Sequence, residues 1–227
     1  MKYKRLNTLY FFIVSILGLI ILLFLFLYTS SGIEEFQELM ILTIFVVICL
    51  MGMLAAVSPS TCNALTKRDL NVDQSIKKYK GHHPECDEFE SHTFNIGEKK
   101  LCAGCSGLFI GAAFAVAATI LLILYGVPTS SGMTEFYAGF VLVLASFTGI
   151  YFQKTSVNVA RFSFNLVLVV GSFLILLGLA GARSNLSVQI YYLFLTCIWI
   201  ITRISLSEFV HHSVCEDCGD ELSCSYR

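Results

Sequence analysis

Six apolar runs limit what this chain can become: Leu9–Tyr28, Leu39–Val57, Cys105–Val127, Phe136–Phe152, Phe164–Ala182 and Val188–Ser205. A bilayer span needs roughly 20 mostly apolar residues. Hydrocarbon offers no water to backbone N–H and C=O groups, so such runs must close their hydrogen bonds internally, as helices. Composition agrees: the 227 residues are 56% hydrophobic and 14% charged, with mean hydropathy +0.75, whereas soluble domains carry about 25% charge. The expected fold is an all-α integral membrane protein of six transmembrane helices, with a small cytoplasmic metal-binding insertion and tail. The basic start, Met1 to Arg5, is shared with signal peptides, but their apolar region spans only about 7–15 residues. Leu9–Tyr28 therefore reads as a retained span, with cleavage near Ser30–Gly32 as the alternative.

The chain divides into a first hairpin (1–57), a polar insertion (58–104), a four-helix part (105–205) and a Cys/His tail (206–227). Within the insertion, Lys67 to Lys80 reads as a short surface helix. Lys and Arg favour cytoplasmic loops. With six spans and both termini inside, all of the 15 Lys and Arg residues except Arg183 fall on one side. That places insertion and tail in the cytoplasm. Tyr10, Tyr28, Tyr125, Tyr137, Tyr151, Tyr191 and Tyr192 lie near span ends, as interfacial aromatics do. Thr29–Phe36 resembles Thr129–Phe136, which fits either a duplicated helical hairpin or two similar helix caps. The near-zero net charge gives no hint of nucleic-acid binding.

The chemistry concentrates in two Cys/His clusters. His83, Cys86, Cys102 and Cys105 form two pairs with two-residue gaps, the number and kind of ligands a tetrahedral zinc ion takes. His82 is an alternative to His83. His92 is expected as a polar surface or supporting residue. In the tail, His212 (or His211), Cys215, Cys218 and Cys224 make a second set. A single site of Cys102, Cys105, Cys215 and Cys218 remains open. Cytoplasmic cysteines bind metal more often than they form disulfides, and the same ligands also suit iron. Cys49 and Cys197, inside spans, read as small apolar residues.

The stretch also shares parts of the zinc deaminase signature, but Cys86 supplies a fourth ligand and closes the site, whereas catalytic zinc keeps one position open. No catalytic residue is assigned. Asp87, Glu88 and Glu90 read as a solvated acidic face. The spans hold no buried carboxylate that would mark an ion path, and Arg161, Arg183 and Arg203 are expected to snorkel from span ends. Gly107, Gly111, Ala115 and Ala118, and likewise Gly171, Gly178 and Gly181, form small-residue stripes suited to close helix packing. Asn185-Leu186-Ser187 fits a glycosylation acceptor that lies too near the membrane for use.

Cys86-Asp87, His92-Thr93-Phe94, Gly97 and Cys102-Ala103-Gly104-Cys105-Ser106-Gly107-Leu108 resemble a family of small prokaryotic membrane proteins of unknown function. Its pattern is a Cys-His, an Arg-Ser-Phe, a Gly and a Cys-Ala-Arg-Cys-Thr-Gly-Ile before an apolar span. Asp87, His92 and Gly104 depart from it, and His83 is inferred to take over as the nitrogen ligand. The resemblance implies an architecture and a prokaryotic plasma membrane rather than a reaction. The function expected is a membrane metalloprotein with structural zinc clasps, a scaffold or subunit of a larger membrane assembly. The alternatives are a membrane-bound metalloenzyme or iron redox protein, and a metal transporter or sensor.

Overall fold

The computed structural model describes residues 2–28, 35–57, 92–96, 99–126, 132–151 and 157–217. The described residues form six helices and one hairpin. The helices are α1 (Lys2–Tyr28), α2 (Glu35–Val57), α3 (Ala103–Tyr125), α4 (Met133–Tyr151), α5 (Asn158–Gly181) and α6 (Leu186–Asp217); the strands are β1 (Thr93–Ile96) and β2 (Lys99–Cys102). Five helices are long and apolar enough to cross a membrane, so this is an integral membrane protein. Helix α4, with 19 residues, is shorter than the other five. The expected surface helix at 67–80, and most of both Thr-Ser-Ser-Gly turns, lie outside the described residues.

Local chemistry sets several helix ends. Gly126 stops α3 with φ +85° and donates its N–H to Leu122 O at 2.9 Å. Only glycine takes that conformation without strain. Between α5 and α6 the chain turns within a few residues. The Ser184 N–H and hydroxyl both reach Leu179 O at 3.0 Å. Asn185 then opens α6, its Oδ1 accepting the Ser187 N–H at 3.0 Å, as N-terminal capping residues do. The sequence around Asn185 thus serves as a cap.

Helix α5 is the centre of one layer, with α3 on one side and α4 on the other. Backbone closeness makes these contacts. A Cβ on Gly107 would collide with the Phe162 carbonyl, and one on Gly178 would stand 2.5 Å from Phe136 N. Between helices, such small residues permit the close van der Waals contact that drives association in lipid. Helix α1 packs on α6, and α2 packs on both α3 and α6. The core holds large aromatics, Phe45, Phe136, Phe147, Tyr192 and Trp199, all buried. Phe26 of α1 stacks on Phe136 of α4 at 3.8 Å and 7°.

Three sequence expectations change. Tyr192 is a core residue, with its hydroxyl donating to Ser172 O at 2.6 Å; Tyr28 and Tyr125 remain exposed at helix ends. Helix α6 continues to Asp217, well past Ser205. It can do so because α1 also extends outward, from Lys2, and the two ends accompany each other: the Thr8 hydroxyl reaches Ser205 O at 3.5 Å, and Leu206 and Val210 are buried. Finally, the insertion contains strands. The hairpin pairs Thr93 with Cys102 and Ile96 with Lys99 in antiparallel register.

Candidate functional site

The hairpin runs straight into α3, so Cys102 is the last strand residue and the cap position of the helix. Cys105 follows within the first helical turn. Both are half-buried, and the Ser106 hydroxyl donates to Cys102 O at 2.9 Å, fixing the turn. The hydrogen bond between the thiols, then burial, push the Cys102 thiol well above its ordinary value, while the charge of Arg203 acts in the opposite direction. The expected pair Cys102 and Cys105 is therefore brought together.

Around the thiols runs a chain of polar contacts across three elements. Arg203 of α6 donates from Nε to Asn165 Oδ1 of α5 at 3.0 Å. Asn165 donates from Nδ2 to Arg161 O, one turn back, at 2.7 Å. Arg161 in turn donates from Nη1 to Nδ1 of His92 at 2.5 Å. Gly104, between the two cysteines, makes room for this arrangement. A Cβ there would stand 3.2 Å from an Arg203 nitrogen and 3.3 Å from Asn165 Nδ2. Asn158 of α5 donates to Thr93 O at 2.7 Å, and Phe94 meets Phe162 edge-on at 6.0 Å. Together these contacts seat the hairpin on the end of α5.

Arg161 corrects the sequence reading, and burial removes one of the two readings given for His92. Arg161 is 6% exposed and turns inward instead of snorkelling, and His92 is 3% exposed, so it is no surface residue. A guanidinium has only donors, so His92 Nδ1 accepts and the ring proton sits on Nε2. His92 thus acts as a support for Arg161. Arg203 also turns inward, onto Asn165. The signal for this was present: Arg161 and Asn165 stand one turn apart on an otherwise apolar helix, and such residues face the interior.

The remaining expected ligands are placed less fully. His83, Cys86, Cys218 and Cys224 lie outside the described residues. His211, His212 and Cys215 lie on the helical backbone of α6. Among the described residues no three His, Cys, Asp or Glu side chains gather as a metal set. The Cys102–Cys105 pair supplies two soft sulfur donors near the Arg203 guanidinium. The spans also bury Gln189, Thr196 and Thr202 along α6; these polar groups are uncharged.

Fold and site together define a polytopic helical membrane protein with a dithiol at the mouth of one helix. No protein-family model, curated protein or solved structure matches the chain.

Proposed function

We propose that this is a six-span membrane metalloprotein in which Cys102 and Cys105, with His83 and Cys86, hold a structural zinc ion on the cytoplasmic face. The observation that carries the reading is the meeting of Cys102 and Cys105 beside Arg203. Three thiolates and one imidazole around Zn²⁺ leave a net charge of about −1. A neighbouring arginine offsets that charge, and N–H donors stabilise thiolate sulfur. Closed four-ligand sites are structural, and their binding energy is folding energy. The ion would tie the insertion to the mouth of α3, and so to the bundle. Such a clasp suits a scaffold or subunit of a membrane assembly.

In this reading α4 crosses the bilayer as well. Both termini and both Cys/His clusters then share the Lys- and Arg-rich side.

The test is elemental analysis of the full-length protein purified in detergent. Stoichiometric zinc is expected, and Cys86→Ser should lower metal content and protein abundance together. Protein that is folded and free of metal would sink the proposal. A visible thiolate-to-iron band would replace zinc by iron in the same ligand set.

A further inference from the structure

We propose that Cys102 and Cys105 are a redox-active dithiol, which closes to an internal disulfide by exchange with a small-molecule disulfide and reopens when thiols are in excess. Exchange needs these two sulfurs alone and none of the other ligands given to zinc.

The backbone is already set for the bond. Cys102 caps α3 in an extended conformation, φ −64° and ψ 122°, and Cys105 lies in the first turn. The two residues between them, Ala103 and Gly104, are helical, which places the two Cα atoms about 5 Å apart. Disulfides join Cα atoms roughly 4.4–6.8 Å apart. The hydrogen bond that, ahead of burial, raises the Cys102 thiol is the same contact that sets the two sulfurs face to face. Closure therefore asks for side-chain rotation and leaves the backbone in place. That backbone is held from three directions. The Ser106 hydroxyl donates to Cys102 O at 2.9 Å, Thr93 pairs with Cys102 across the hairpin, and Gly107 lies against the Phe162 carbonyl.

Reactive cysteines sit in partly exposed, electropositive surroundings, and inert ones are buried among apolar groups. Cys102 and Cys105 are half-buried at the start of the span Ala103–Tyr125. An Arg203 guanidinium nitrogen stands beside Gly104, between them. Its positive charge favours the anionic sulfur that forms during exchange. Cys49, by contrast, is enclosed in the apolar core, and Cys197 is exposed at mid-span.

The chemistry balances as follows. One cysteine sulfur gives up its proton and attacks a sulfur of the small disulfide, whose S–S bond breaks to release one thiol. The other cysteine sulfur gives up its proton and attacks the first, releasing the second thiol. The pair loses two electrons and two protons, and the small disulfide gains them. In a reducing compartment such disulfides are transient and serve catalysis or redox sensing. Closure also withdraws both sulfurs from a bound ion, so in the zinc reading the redox state of the pair governs occupancy.

The experiment equilibrates the full-length protein, purified in detergent, with buffers of graded reduced-to-oxidised glutathione, with and without a chelator. Samples are quenched by alkylation and read by mass spectrometry after proteolysis. Cys102 and Cys105 should lose their alkylation together as the buffer is oxidised, become linked to each other, and recover on reversal. Cys102→Ser and Cys105→Ser should each trap a glutathione adduct on the remaining sulfur. Full alkylation at every ratio, chelator present, overturns the proposal. So does a link from either sulfur to another cysteine, or a glutathione adduct that persists in the unaltered chain; none of these readings needs a variant to fold. Zinc released in step with oxidation supports exchange and zinc reading together. A reversible Cys102–Cys105 disulfide in protein that held no zinc supports exchange and removes the zinc reading alone.

Discussion

Arg161 of α5 donates to His92 Nδ1 across 69 residues of sequence, tying the hairpin to the helix bundle. The contact joins a buried cation to a neutral ring. A hydrogen bond to a charged group contributes about 1.5–3 kcal/mol. His92→Phe should therefore lower stability by about 2 kcal/mol, read as an earlier unfolding midpoint in detergent. An unchanged midpoint would show that Arg161 does not depend on His92.

Two glycines should respond to alanine with opposite sign. An added methyl at Gly107 strikes the Phe162 carbonyl, whereas one at Gly52 in α2 meets nothing within 4 Å. Overpacking costs about 1–3 kcal/mol, so Gly107→Ala should destabilise the α3–α5 contact. Gly52→Ala should be neutral or stabilise by up to about 1 kcal/mol, through helix propensity alone. Thermal unfolding of the two variants side by side checks this, and equal shifts would refute it.

On the opposite flank, the hydroxyls of Ser15 in α1 and Thr202 in α6 lie 2.7 Å apart, fully buried. Polar pairs between membrane helices couple by about 0.6 kcal/mol on average. A double-mutant cycle with Ser15→Ala and Thr202→Val should return a coupling of that size. Strict additivity would mean that each hydroxyl is satisfied by its own helix, as the Thr202 bond to Ile198 O at 2.9 Å would allow.

Arg203 provides a test of the metal reading that needs no activity. Loss of an outer partner typically lowers metal affinity about 10–100-fold. Arg203→Leu should lose zinc to a chelator about tenfold more readily than the unaltered chain, with Arg203→Lys in between because it keeps the charge but not the fork. Identical competition curves would remove Arg203 from the site.

The apolar runs announced the helices because hydrocarbon leaves the backbone no other solution. Their ends were less legible. The extension of α6 is polar from His211 onward, and it is helical because it continues a helix whose Leu206 and Val210 are covered. The hairpin escaped notice because its strands are four residues each and rich in Lys, Asn and Thr. At the site, the Cys102–Cys105 pair was plain from its spacing. The inward turn of Arg161 and Arg203 was not, since an arginine near a span end can equally well reach for water; Asn165, one turn from Arg161 and bonded to Arg203, makes the difference.

The length of α4 has one more consequence. Helix α4 has 19 residues, about 28 Å of helix, against a hydrocarbon layer of about 30 Å. Its partner α5 has 24 residues. In the six-span reading the longer helix fits, by tilting, the layer that the shorter one matches, and Val141 and Leu144 of α4 are exposed. In that reading α4 can stand upright while α5, packed against it, leans across the bilayer.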